Sequence, residues 1–174
     1  YDSIHGRWKG QLSDKLKWTH TRDINQLDWT GCDVVLECTG AFNDGNIAKT
    51  HILNGAKKVL ISAPAKNVDR TVVYGVNHEE ITNSDKIISN ASCTTNCLAP
   101  MAKVLHQEFG IKRGIMTTVH SYTGDQSTVD RRHKDPYRAR TAGMSMIPTS
   151  TGATKAIGDI IPELAGRLSG SAIR

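Results

Sequence analysis

The stretch SNASCTTNC at 89–97 sets Cys93 among hydroxyls and amides, and the apolar run GIMTTVH at 114–120 ends on His120. A thiol beside an imidazole is an activated sulfur nucleophile, the ring taking the thiol proton. The helical apolar spacing that follows 89–97 places Cys93 where a strand gives way to a helix. The first N–H groups of a helix lack intrahelical partners and carry partial positive charge, an environment that lowers a thiol's pKa. In a parallel sheet the C-terminal strand ends share one edge, so Cys93 and His120 are expected to face each other. As isolated residues both also fit a plain packing role. Cys97 follows one helical turn later on the same face, but without a C-x2-C knuckle or a second pair the two cysteines make a poor zinc set, and no metal site is expected. Cys32 and Cys38 flank an apolar run and are expected in the core.

The same region is rich in anion ligands. Ser92, Thr94, Thr151 and Gly152 offer hydroxyls and backbone N–H groups at two expected helix starts. Thr123, Arg138, Arg140 and Arg174 add donors, and the guanidinium fork matches phosphate geometry. The basic run RRHKDPYRAR at 131–140 also has the plainer reading of a solvated charged face.

These residues need a scaffold. Residues 33–39, 57–62, 71–76, 86–89 and 114–120 read as strands, and 46–54 as a helix stopped by Gly55. Strand, helix, strand in that order predicts a βαβ unit and a largely parallel sheet. From Thr94 to Phe109 a helix is expected with Leu98, Met101, Ala102, Leu105 and Phe109 on its apolar face and Pro100 bending it. Residues 121–148 have no clear period and read as a long functional loop, and 151–161 as a further helix.

The chain has 174 residues, a formal charge of +5 and four cysteines at C-x5-C and C-x3-C spacings. That is room for one ordinary domain or two small ones, and the cysteines read as reduced thiols rather than a disulfide framework. The mildly basic balance suits phosphorylated small molecules as well as nucleic acid. No leader or long apolar run is present, so no membrane partner is expected and a cytoplasmic location is.

SNASCTTNCLAP, TTVHSYTGDQ, HKDPYRAR and IPTSTGATKAIG, in this order, resemble the phosphorylating glyceraldehyde-3-phosphate dehydrogenases, as do YDSIHGR, DVVLECTG and GAKKVLISAP. The likeness runs over nearly the whole chain. It implies an α/β fold, with a partial Rossmann-type nucleotide-binding domain (1–92) followed by the start of an α+β catalytic domain (93–174) that includes the loop 121–148. It implies an oxidoreductase of glycolysis and gluconeogenesis that converts glyceraldehyde 3-phosphate and inorganic phosphate to 1,3-bisphosphoglycerate, with NAD or NADP as cofactor. Cys93 would carry a thioester and His120 would be its acid–base partner. Thr123 and Arg174 would hold the substrate's phosphate with Asp125 orienting that corner. Ser92, Thr94, Thr151, Gly152 and Arg138 would hold the attacking phosphate, and Arg22, Thr39, Gly40 and Ser62 would line the cofactor's path. The full-length enzyme is expected to be a homotetramer.

The family's opening Gly-rich G-x-G-x-x-G turn does not occur in the sequence, the stretch from Gly10 to Trp18 is short for the family, and the family's catalytic domain continues past Arg174. The 174 residues are therefore expected to be a fragment, inactive by itself. Arg131-Arg132 departs from the family's usual residues in the loop and leaves the choice between NAD and NADP open. Two other classes fit the residues less well. A nucleic-acid-binding module on 131–140 would lack aromatic stacking partners among its charges, and no nucleic-acid partner is expected. A Cys–His hydrolase would leave the anion ligands without purpose.

Overall fold

The computed structural model describes residues 4, 6, 7, 10 and 13–174. The motif at 1–7 and the short stretch from Gly10 to Trp18 lie partly outside the described residues.

The fold is mixed α/β, with two sheets. In the first, β1 (Val34–Glu37), β2 (Lys58–Ile61), β3 (Arg70–Thr71) and β4 (Ile87–Ser89) are all parallel, in the order β1-β2-β4-β3. The crossover between β1 and β2 is α1 (Gly45–Leu53), the βαβ unit read from the sequence. Asp44 caps α1 by accepting from the Asn46 N–H, and Gly55 at φ +109° lies just beyond its end. Ala48 of α1 packs with Val59, Ile61 and Ile87 of the sheet.

The second sheet holds β5 (Gly114–Val119), β6 (Pro148–Thr149) and β7 (Leu168–Ile173), with β7 central, parallel to β5 and antiparallel to β6. β7 has no counterpart among the expected strands, because LSGSAI has too few apolar residues to read as one. The helix α2 (Cys93–Phe109) leads from the first sheet to the second, and α3 (Ala153–Ile160) lies against it. Ala99 and Ala102 of α2 meet Ile157, Ile160 and Leu164 in the second core.

Several expectations need correction. The expected strand 71–76 is a strand only at Arg70–Thr71. Beyond it the Val73 N–H donates to Asn77 Oδ1, Asn77 Nδ2 donates to the Thr71 carbonyl, and Gly75 at φ +78° turns the chain. Val72 and Val73 are buried all the same and Val76 half-buried, which is what their pattern recorded.

The apolar face of α2 is also partly displaced, although Ala102 is buried and Leu98 half-buried against the second core as expected. Met101, Leu105 and Phe109 are 52%, 50% and 81% exposed, while the buried stripe is Thr95, Ala99 and Ala102. The bulky side chains of this contact come from α3, so the α2 side is built of small ones. Cys38 is exposed and Cys32 half-buried, not core residues. Strand alternation explains Cys38: Val35 and Glu37 point inward, so Val34, Leu36 and the residue two further on point out. Finally, β4 and β5 belong to different sheets, so the edge that brings Cys93 to His120 is not one sheet's edge.

Candidate active site

Cys93 is held by the backbone on both sides of it. Ser89 Oγ donates to the Ala63 carbonyl and accepts from the Ala91 N–H. Ala91 is buried at φ +56°, a left-handed conformation that costs energy for any residue with a Cβ. Ser92 then caps α2, its Oγ accepting from the Thr95 N–H at 3.0 Å. Cys93 is therefore the first residue of α2, exposed at the helix N-terminus.

His120 follows the last residue of β5, and its backbone N–H donates to the Ile173 carbonyl of β7. Its Nδ1 lies 2.6 Å from the Ser121 carbonyl oxygen, which can only accept, so Nδ1 carries a hydrogen. Nε2 is thereby left to face Cys93 Sγ at 3.2 Å, free to take the thiol proton. The hydrogen bond with His120 is the strongest influence on Cys93 and holds its pKa below the usual thiol value. Partial burial opposes this, and the His120 charge and bonds from Thr94 reinforce it. His120 is raised, first by the Ser121 carbonyl and then by the Cys93 sulfur, against burial and the Arg174 charge. The pair favours thiolate and imidazolium.

A cavity of about 450 Å3 opens beside this pair and is lined by Ser92, Cys93, Thr94, His120, Arg138, Thr151, Gly152 and Arg174. Thr151 and Gly152 precede α3, and Thr151 Oγ1 accepts from the Ala153 N–H. Arg174 Nη1 donates to Thr123 Oγ1 and to Oε1 of the buried Gln126, both at 3.1 Å. The backbone of Arg174 pairs in both directions with Ile147. Thr123 is thus brought to the cavity's edge through Arg174.

Asp125 takes a different place from the one expected. It pairs with Arg138, Nη1 to Oδ2 at 2.6 Å, rather than with the Arg174 corner. His133 Nε2 reaches its other oxygen at 3.3 Å. Arg138 Nε donates to Thr149 Oγ1, which in turn donates to Asp135 Oδ2. The Arg138 bond is the main reason the Asp125 carboxyl lies below its ordinary range. Gln126, His133, Asp135 and Thr149 were not among the residues singled out from the sequence; their one signal is that they sit in the aperiodic loop or at its end. Arg140 pairs with Asp130, so with Arg138 also paired the run 131–140 is not a uniformly free basic face.

Thr39, Gly40 and Ser62 lie apart from the cavity, just past the carboxyl ends of β1 and β2, and all are exposed. Ligands of open parallel sheets bind at that edge. A Cβ on Gly40 would meet nothing within 4 Å, so the turn is open to an approaching molecule. Arg22, exposed and ahead of the turn at Ile24–Gln26, is not tied to Thr39, Gly40 or Ser62 by any contact described. Among the described residues no cluster of three or more His, Cys, Asp or Glu is arranged to hold a metal ion, and no helix is long and apolar enough to cross a membrane.

Residues 92–174 match the model of the glyceraldehyde 3-phosphate dehydrogenase C-terminal domain. The whole chain is 54% identical to a glyceraldehyde-3-phosphate dehydrogenase of Cereibacter sphaeroides, covering 55% of that protein. It is 53% identical, again over its whole length, to one of Pseudomonas aeruginosa, covering 56% of it. Over 99% of its length it is 55% identical to one of Zymomonas mobilis, covering 55%. The chain spans about half the length of the curated relatives it matches. Over its whole length the chain is thus similar to glyceraldehyde-3-phosphate dehydrogenases, and over residues 92–174 to their C-terminal domain.

Proposed function

We propose that this chain carries the catalytic cysteine of an NAD(P)-dependent oxidative phosphorylation of glyceraldehyde 3-phosphate. The observation that carries the reading is the Cys93–His120 pair at 3.2 Å on a cavity that also holds Arg138 and Arg174. The Cys93 thiolate adds to the aldehyde carbon, a C–S bond forming as the C=O π bond breaks, and the His120 imidazolium gives its Nε2 proton to the new oxyanion, which leaves a thiohemiacetal and a neutral ring. His120 Nε2 takes the hydroxyl proton as hydride leaves that carbon, and the product is a Cys93 thioester. The oxidised nicotinamide, when bound past the carboxyl ends of β1 and β2 by Thr39, Gly40 and Ser62, supplies the hydride acceptor. Inorganic phosphate then attacks the thioester carbonyl, the C–S bond breaks, and His120 as imidazolium restores the thiol.

Two anions must be bound for this sequence. Arg174 with Thr123 suits the substrate's phosphate, and Ser92, Thr94, Thr151, Gly152 and Arg138 suit the attacking one. The Asp125–Arg138 pair holds the second guanidinium in place, so Asp125 serves the attacking-phosphate side. We further infer a division at the start of α2 between a nucleotide-binding and a catalytic portion, a homotetrameric assembly and a cytoplasmic setting, by likeness to the family. The test uses the protein that carries this chain. Incubation with glyceraldehyde 3-phosphate and NAD without phosphate is expected to leave an acyl adduct on Cys93, seen by mass spectrometry, and added phosphate should discharge it. Aldehyde-dependent NADH formation without a Cys93 adduct would overturn the reading.

A further inference from the structure

Glu37 and His51 are a buried titratable pair that the chemistry at Cys93 does not use, exposed by only 3% and 2%. Glu37 is the last residue of β1 and points inward, beneath α1, from which His51 meets it. A carboxylate in a core is costly unless its oxygens are satisfied. Here each one is. His51 Nε2 lies 3.0 Å from Oε2, and Oε1 accepts from the Thr39 N–H at 2.8 Å and from the Thr39 hydroxyl. Burial pushes the Glu37 pKa up, but the Thr39 and His51 bonds together outweigh it and hold the group ionised.

The direction of the chain of bonds is fixed at its far end. Trp29 Nε1 lies 3.0 Å from His51 Nδ1, and an indole nitrogen can only donate. His51 Nδ1 is therefore the acceptor, the ring is neutral, and its hydrogen sits on Nε2, aimed at Glu37. The other end of the chain is a turn. Glu37 draws in both donors of Thr39, whose Oγ1 in turn accepts from the Ala41 N–H at 3.1 Å, while Asn43 Nδ2 donates to the Gly40 carbonyl.

We propose that Trp29, His51 and Glu37 form a positioning relay that fixes the Thr39–Gly40 turn by holding both Thr39 donors, and through it the exposed Gly40 backbone presented to the nicotinamide cofactor. The second half of this statement rests on the cofactor placement proposed above. None of the three residues touches the reacting atoms; each acts through the next.

The tautomer logic supplies a test that simple packing would fail. In Glu37→Gln the amide must turn its NH2 either to Thr39 or to His51. Turned to Thr39, it opposes that residue's donors. Turned to His51, it needs an accepting Nε2, which puts the ring hydrogen on Nδ1 against the Trp29 donor. The first arrangement keeps the Trp29–His51 bond and leaves the Thr39 N–H without its acceptor, so Thr39 amide exchange in the protein that carries this chain is expected to quicken roughly 10- to 100-fold. Trp29→Phe removes the opposing donor and lets His51 change tautomer. The double variant should therefore exchange at Thr39 within about threefold of Trp29→Phe alone, a non-additive rescue. Additive or worse exchange in the double variant overturns the proposal.

Calorimetric NAD affinity, in the protein that carries this chain, should follow the same order: weakened by Glu37→Gln, restored by the second substitution. Rescued exchange with affinity indifferent to every variant also overturns the proposal, and places the fault in the cofactor site rather than in the relay. The Cys93 acyl adduct reports separately on the proposed reaction. If Glu37→Gln does not fold, the 15N spectrum of the unsubstituted chain decides: a hydrogen on His51 Nε2 upholds the relay and one on Nδ1 overturns it.

Discussion

Cys93 Sγ and His120 Nε2 meet at 3.2 Å although one residue follows the parallel first sheet and the other the second. The contact therefore depends on how α2 joins the two sheets. α2 buries only Thr95, Ala99 and Ala102 on this side, and α3 packs on those small residues. Ala91 in its left-handed conformation and the Ser92 cap then fix where the helix begins, and with it the sulfur. His120 is fixed independently, by the Ile173 carbonyl on its backbone and the Ser121 carbonyl on its ring. Two separately anchored groups form the dyad, so one can be changed without moving the other.

Selective alkylation follows from that arrangement. Iodoacetamide near neutral pH should label Cys93 ahead of Cys38 and Cys97, which are also exposed, because His120 favours the Cys93 thiolate. The rate should rise with pH at a midpoint below that of a free thiol. His120→Asn should move the midpoint up and slow labelling at neutral pH by about tenfold or more, since a free thiol there is only a few per cent ionised. Adduct mapping by mass spectrometry checks the order; first labelling at Cys38, or a midpoint indifferent to His120→Asn, contradicts the dyad.

A second expectation concerns the loop 121–148, which Arg138 ties to Asp125 across thirteen residues. Asp125 has a depressed folded pKa, so its contribution to loop order is fully present above the ordinary carboxylate value. It is lost as pH falls through the lower, folded value. Exchange protection of the Arg131 N–H, which donates to the Ala139 carbonyl, should persist from neutral pH down to that window and fall away below it. In Asp125→Asn the protection should already be reduced at neutral pH, and trypsin should cut after the exposed Arg131 and Arg132 several-fold faster. Unchanged cleavage would mean that the ion pair does not hold the loop.

How much of this was legible in the sequence differs from element to element. The β1-α1-β2 unit was, because its strands are continuous apolar runs and its helix stops at Gly55. Cys93 and His120 were, because each stands at a change of hydrophobic period. The pairing of Asp125 with Arg138 was not. It spans an aperiodic loop, and nothing in local spacing says which arginine a carboxylate will choose. The buried face of α2 was legible at Ala102 but misread at Met101, Leu105 and Phe109, because apolar bulk was taken as the sign of burial, whereas close helix packing selected small residues such as Ala99. Glu37 was read only as part of a strand. Its signal is the parity of an acidic residue with the inward Val35, which becomes meaningful once His51 is known to lie above it.

Gly45 offers a stability test of the first sheet's carboxyl edge. It opens α1, immediately after the Asp44 cap, and its N–H donates to the Lys66 carbonyl at 2.7 Å. Its φ is not in the positive range, so backbone freedom is not what the position requires. What it requires is space: a Cβ there would stand 1.9 Å from the Asn67 carbonyl oxygen and 2.6 Å from its carbon. Those are backbone atoms of a residue itself held at φ +55°, whose side chain donates to Asp44, so they cannot swing aside as a flexible side chain would. Gly45→Ala must part the Asp44–Lys66 bridge or shift the start of α1. Overpacking of this kind typically costs about 1–3 kcal/mol. Gly40→Ala is the control: nothing lies within 4 Å of its Cβ, and the penalty there comes from φ +74° alone. Urea unfolding of the two variants should rank Gly45→Ala as the less stable, with an unchanged slope. A Gly45→Ala chain as stable as the parent would show that the Asn67 turn yields freely and that the edge is not tightly built.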